Sequence, residues 1–283
     1  MTKITAILTS FNRRELTLRC LSALFANAEG LCDISVYLLD DNSSDGTGEA
    51  VLAAFPTVHL LHGDGNHYWN RGMLVAWRAA LDSKPDFYLW VNDDAELRPG
   101  SIGDLLALHA RTGAKTIVCG RIKDSQTGDV VYGGFRRRYG PHKILGLTTS
   151  WPWPKRYMGL ASEEDVLVDT MHGNCVLIPS SAVEDIGLIS EHYWHSDGDT
   201  DYGFRAINAG YKVAQLKNPV AVGEYNNAFD EKREFLTPKN WRFFLFHPKG
   251  RRPIESYHYY RQHIRPFWPV RLIWSYVGKI RFR

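Results

Sequence analysis

Asn92, Asp93 and Asp94 directly follow an apolar run, FYLWV, at residues 87–91. Two adjacent carboxylates at the end of a buried strand repel each other and are costly to desolvate. A hard divalent cation removes that cost. Mg2+ takes one or two protein carboxylates and completes its shell with water and phosphate oxygens. The cluster therefore reads as a seat for Mg2+ or Mn2+ carrying a diphosphate. An acidic approach to a helix starting near Pro99, stabilised by the helix dipole, explains the same residues equally well when they are taken alone. Further polar clusters follow other apolar runs: Thr9–Arg13, Asp40–Asp45 and Gly63–Arg71. An acidic turn, HSDGDTDYGFR, stands at 195–205.

Such clusters act together only if the fold brings them together. Apolar, β-rich segments at 3–10, 33–40, 58–63, 86–91 and 115–122 predict strands. Helical patterns fill the intervals at 13–27, 48–55, 70–83 and 98–112, the last with Pro99 suited to its first turn. Strands alternating with helices of this length imply βαβ units and a mostly parallel sheet, which binds ligands at the carboxyl ends of its strands. Four of the polar clusters fall at four such ends, so they should converge on one cleft. Beyond residue 121 the alternation fades into a hairpin or loop at 130–143 and a Pro- and Trp-rich loop at 148–159. A strand at 168–179, a polar turn running into a helix at 195–210, and a strand at 211–216 follow.

With 44% hydrophobic and 23% charged residues in 283, the chain has the balance of a globular protein with a large core. No apolar stretch reaches the length of a membrane span, and the N-terminal run is too short for a signal peptide. Cys20, Cys32, Cys119 and Cys175 are scattered and read as reduced and buried, in a cytoplasmic protein. The net charge of +3 is unevenly placed. Residues 249–283 hold nine Lys or Arg and one acid, Glu255, so this tail carries +8 and the rest of the chain −5. That asymmetry points to an anionic partner at one end.

In order along the chain, TAILTSFNRRELTLRCLSAL, LLDDNSSDGT, NDDAELRP and SDGDTDYGFRAINAGYKV resemble the successive signatures of family 2 glycosyltransferases with a GT-A fold. The resemblance spans roughly residues 3–225. It implies an α/β domain over 1–245, with a nucleotide-binding half at 1–121 and an acceptor half at 122–245, followed by a basic aromatic extension at 246–283. It also implies an inverting, metal-dependent transfer of a sugar from a nucleoside-diphosphate sugar to a saccharide acceptor. Asp41 would accept a hydrogen bond from the base, with Thr9, Asn12 and Arg13 lining the same pocket. Asn66 and Arg71 would reach ribose or diphosphate, and Trp69 would floor the sugar or simply pack. Asp93 and Asp94 would form the metal site. The late histidine of many relatives is missing from NPVAVGEYNNAF, and Glu224 stands as a substitute ligand. Asp199 aligns with the catalytic base. Asp197 and Asp201 are rivals or helix caps, and Arg205 pairs with the turn. His172, Trp194, His195 and Asp201 would face the acceptor; a plain polar contact is the alternative for His172.

The tail mixes Tyr, Trp and Phe with Arg and Lys. This suits an anionic bilayer surface, with residues 270–283 as a short amphipathic helix. Nucleic acid would favour the same composition, but no nucleic-acid partner is expected. The implied acceptor is polyprenyl-diphosphate-linked, and the donor dTDP-rhamnose or a UDP-hexose. Two other functions fit parts of this pattern. A sugar nucleotidyltransferase would need a Gly-rich loop after the first strand, where TSFNRRE stands. A catalytically inactive binding protein would not need Asp41, Asp94 and Asp199 together.

Overall fold

The computed structural model describes residues 1–138, 142–144, 147–149, 157–164, 166–225, 236–264 and 267–280. The first half runs β1 (Thr2–Ser10), α1 (Arg14–Ala28), β2 (Cys32–Asp40), α2 (Thr47–Ala54), β3 (His59–His62), α3 (Tyr68–Ala79), β4 (Phe87–Val91), β5 (Glu96–Leu97), α4 (Ser101–Thr112) and β6 (Thr116–Asp124). Short strands follow: β7 (Val130–Tyr132), β8 (Gly134–Arg138), β9 (His142–Ile144), β10 (Leu147–Thr149), β11 (Tyr157–Leu160), β12 (Leu167–Val168) and β13 (Thr170–Met171). The chain continues through β14 (Cys175–Pro179), α5 (Ser180–Ile186), α6 (Gly198–Asn208) and β15 (Lys212–Gly223). It closes with α7 (Trp241–Phe246), α8 (Pro253–His263) and α9 (Trp268–Val277). The Pro/Trp stretch at 150–156 and residues 226–229 of the segment without a histidine lie outside the described residues.

The central sheet has the order β12-β15-β6-β14-β4-β1-β2-β3. From β4 to β3 every pairing is parallel, as the alternation predicts. The second half is mixed. β14 enters between β4 and β6 antiparallel to both, while β15 runs parallel to β6. The strands read as continuous apolar runs because both faces are covered. On one face Leu21, Leu24, Ile102 and Leu105 of α1 and α4 pack against Ile4, Leu38 and Leu89. On the other, Met73, Trp77, Ala182 and Tyr202 of α3, α5 and α6 pack against Ile7, Trp90 and Ile178. Gly72 lets α3 sit directly on β1: a Cβ there would lie 2.3 Å from Thr9 Oγ1.

Register sets the site. Ser10 ends β1 opposite Asp40, the end of β2. Because β14 is antiparallel, its first residue, Cys175, lies opposite Val91, the last of β4. The turn before β14 is thereby delivered to the carboxyl end of β4, and Asn92 N–H donates to Asn174 O at 2.9 Å.

The boundary expected at 245/246 is not a break in packing. Tyr259 and Tyr260 of α8 are buried with Tyr193 and Phe204, and Trp268 and Leu272 of α9 pack against this cluster. The far side of α9 is open: Val270, Ile273, Trp274 and Val277 are each more than half exposed. No helix among the described residues is long and apolar enough to cross a membrane.

Candidate active site

The loops after β1, β2 and β3 are tied to one another. Asn12, in the left-handed region (φ 53°), accepts from Ser44 N–H at 2.7 Å and donates its own N–H to Ser43 Oγ at 2.9 Å. Arg14 N–H donates to Asp45 Oδ2 at 3.0 Å. Asp41 is buried and accepts from the N–H groups of Gly65 (3.0 Å), His67 (2.9 Å) and Tyr68 (3.3 Å), and from His67 Nδ1 (2.8 Å). A carboxylate has about four lone-pair sites, so these contacts fill it. In the structure Asp41 holds the 63–68 loop, beside the pocket where the sequence expects it to meet a base. Thr9 is pressed against Gly72, and Asn66 is exposed on the rim of that loop.

At the end of β4, Arg13 stands between the two carboxylates. Its guanidinium donates to Asp93 Oδ1 at 3.2 Å and to Asp94 Oδ2 at 2.8 Å. Arg13 is therefore the counter-ion of the acidic pair at the end of β4. Burial, reinforced by Asp94 and opposed by Arg13, pushes the Asp93 carboxyl up to about 6. Gly223 packs on the Asp94 backbone, which places exposed Glu224 within electrostatic reach of Arg13. Asp93 and Asp94 are the paired, buried carboxylate oxygens that Mg2+ or Mn2+ takes, but Glu224 is not gathered with them into a three-ligand group. Among the described residues, the three acids or histidines whose ligand atoms do lie within 4.8 Å of one another are Asp41, Asp64 and His67. There, Asp41 is already committed to the loop.

Asp199 lies in the first turn of α6. Its Oδ2 accepts from Gly173 N–H at 2.9 Å, and its Oδ1 from Thr200 N–H at 2.7 Å. Burial raises its carboxyl to about 6, against the pull of those two donors. Trp69 reaches across from α3 and donates from Nε1 to Asn92 Oδ1 at 2.8 Å. Its ring lies directly on Gly173, where a Cβ would come within 2.3 Å of Trp69 Cη2. Trp69 and Gly173 thus join the carboxylate pair of β4 to the carboxylate of α6. Their contact depends on Gly173, in the 172–174 segment that resembles the donor–acceptor junction of the family.

The residues expected at the acceptor divide. Trp194 and His195 line the mouth beside Tyr68, whose ring is 6.4 Å from Trp194 and 6.2 Å from His195. His172 is wedged 4.2 Å from Phe135 and 5.1 Å from Tyr132, and burial drops it to about 3, so it is neutral. Asp201 is fully buried. It accepts from Arg205 Nε at 2.8 Å and from His263 Nε2 at 2.7 Å, which places it in the scaffold and not on an acceptor. Arg205 is the structural partner expected. Sequence reasoning missed the tail residues here, Arg252, Glu255 and His263. No signal marked them, because they arrive by docking of α8.

Residues 5–187 match the model of glycosyl transferase family 2, and the chain belongs to that family. It is 29% identical over 197 residues to N-acetylglucosaminyl-diphospho-decaprenol L-rhamnosyltransferase of Mycobacterium tuberculosis, covering 63% of this chain and 62% of that protein. It is 23% identical to the low-salt glycan biosynthesis hexosyltransferase Agl10 of Haloferax volcanii, over 74% of this chain and 64% of the relative. The chain thus spans less than two thirds of these curated relatives. Among solved structures, the mannosyltransferase PcManGT of Pyrobaculum calidifontis, with GDP-Man and Mn2+, superposes with a TM-score of 0.58 at 14% identity. That match covers 94% of this chain and 67% of the other. S. aureus TarS 1–349 with UDP-GlcNAc gives 0.56 at 12%, over 99% and 72%. These likenesses establish the GT-A-type fold.

Proposed function

We propose that the chain is an inverting, metal-dependent glycosyltransferase that moves a sugar from a nucleoside-diphosphate sugar to a polyprenyl-diphosphate-linked saccharide. The observation that carries this reading is the placing of Asp199 beside the Asn92–Asp94 cluster through Trp69 and Gly173. Asp199 is held by two backbone donors, and its affinity for a proton is near neutral. It suits a general base that takes the acceptor hydroxyl proton as that oxygen attacks the anomeric carbon. Asp93 and Asp94 would hold the divalent cation, with Glu224 at its edge. When bound, the cation neutralises charge on the departing diphosphate. A rhamnosyl donor is tried first, because the Mycobacterium tuberculosis relative bears that name; a UDP-hexose follows. The test is release of nucleoside diphosphate from dTDP-rhamnose and UDP-hexoses with Mg2+ or Mn2+, with and without a lipid-diphosphate acceptor. Metal-independent release, or none from any donor, would overturn it.

The reading includes work at an anionic membrane surface. Val270, Ile273, Trp274 and Val277 follow helical spacing on one exposed face of α9, in a tail of net charge +8. The double variant Ile273→Glu, Trp274→Glu should leave the fold intact and abolish sedimentation with phosphatidylglycerol vesicles. Unchanged binding by the folded variant would remove the membrane from the proposal.

A further inference from the structure

Two arginines from distant parts of the chain stack on one indole at the mouth of the site. Arg71, in the first turn of α3, has its guanidinium carbon 3.7 Å from the Trp194 ring centre; that of Arg252, at the start of α8, is 4.6 Å away. The two cations oppose each other. Burial first, then Arg252, holds Arg71 below its ordinary value. Compensation is thin. Arg252 pairs with Glu255 at 2.8 Å, but Glu255 is buried and pushed up to about 7, so near neutrality it is only partly charged. Glu191, the other acid acting on Arg71, is exposed and pairs with Arg78 at 3.2 Å. Arg71 itself makes no ion pair among the described residues. Of the two guanidiniums, Arg252 is held by an ion pair with the buried Glu255 and the Arg71 fork has none among the described residues.

Their place relative to Asp199 is well defined. The N–H groups of Asn70 and Arg71 donate to Trp194 O at 3.1 and 3.4 Å. The Asn70 amide donates to Ser190 O and Tyr193 O, while its Oδ1, buried without a partner, lies under Gly198, the residue before Asp199. On α3, residues two apart point away from each other. Trp69 turns to Asn92 and the metal-binding carboxylates, and Arg71 turns to Trp194 and α8. The head of α6, with Asp199, lies between these two sides. An acceptor approaching the base from the Arg71 side meets guanidinium forks, which match phosphate oxygens bidentately.

We propose that Arg71 and Arg252, braced by Trp194, form a diphosphate-binding subsite for the acceptor, distinct from the Asp93–Asp94 centre that serves the donor. This rests on the reading of the chain as a transferase acting on a diphosphate-linked acceptor. It gives the docked tail a part in acceptor selection.

The test compares two acceptors carrying the same sugar, one on farnesyl diphosphate and one on an uncharged octyl group. Arg252→Gln and Arg71→Gln should each raise KM for the diphosphate acceptor about tenfold or more, the scale of one lost charge-assisted contact. In Arg252→Gln, KM for the octyl glycoside and for the donor should stay within about twofold. Arg252→Lys should be intermediate. A rise in donor KM would assign the guanidiniums to the donor diphosphate. Equal losses on both acceptors would make the pair structural. A loss of vesicle binding with KM unchanged would assign them to a lipid headgroup. Each of these outcomes overturns the proposal. If the parent transfers to neither acceptor, the transferase reading has failed. Calorimetry with inorganic pyrophosphate, without divalent cation, then decides the subsite: binding by the parent that is about tenfold weaker in either folded variant supports it, and equal binding sinks it.

Discussion

Asp199 and Asp201 occupy the same turn of α6, two residues apart, and burial is the largest influence on both. Yet Asp199 is raised to about 6 and Asp201 is lowered. The site-facing side of the turn offers Asp199 only neutral backbone donors, from Gly173 and Thr200. The tail-facing side gives Asp201 a hydrogen bond from His263 and the charge of Arg205, which together outweigh its burial. Burial sets how much is at stake, and the partner decides the sign. One turn thus holds a carboxylate poised to take a proton and another committed to staying charged. Only the first has the proton affinity that a general base would need.

The largest expected effect breaks the site-facing half. Asp199→Asn should lower kcat by ~10²–10⁴-fold with donor affinity retained, measured by steady-state kinetics and by calorimetry with the nucleotide sugar. A variant that keeps full turnover would move the base elsewhere. The same substitution should raise stability above pH 6. The folded state holds the Asp199 proton more tightly than the unfolded chain, so this group's contribution declines as pH rises from about 4 to about 6; removing it should gain about 1–3 kcal/mol at pH 8.

Next in size is the tail-facing half. Asp201→Ala strands Arg205 and His263 in the interior and should cost about 3–5 kcal/mol in urea unfolding. His263→Ala, which leaves Arg205 in place, should cost about 1–3 kcal/mol and make residues 246–280 more open to protease. A tail cut no faster than in the parent would show that this contact does not secure it. Because Asp201 is lowered, its contribution is present above the ordinary carboxylate value and is lost as pH falls through its folded value. Asp201→Asn should therefore flatten the acid limb of the stability curve. The smallest effect is a test of poise: log kcat/KM should rise with pH and level off near 6, the limb vanishing in Asp199→Asn.

The carboxylates of β4 extend the comparison. Asp93 is also raised by burial, but Arg13 meets it and Asp94 together. Arg13 was legible as a site residue, but its pairing with Asp93 and Asp94 was not. Type and position along the chain showed that it belongs near the strand ends; its partner depended on α1 starting directly after it and turning it towards β4. The loop contacts of Asp41 were hidden for a similar reason. A carboxylate next to a strand end suits a base, but here the 63–68 loop folds back over it and uses up its lone pairs.

The sequence by itself determined the parallel first half of the sheet and the placing of Thr9–Arg13, Asp40–Asp45, Gly63–Arg71 and Asn92–Asp94 at its carboxyl ends. Those follow from local pattern: apolar runs, helical spacing and capping residues act within about a dozen positions. What only the tertiary structure decided was the charge state and task of each acid, and the incorporation of the tail. Asp199 needs the turn delivered by antiparallel β14, and Asp201 needs a histidine 62 residues further along the chain. A carboxylate's affinity for its proton is set by whatever lies within a few ångströms of it, and that neighbourhood exists only once distant segments have packed.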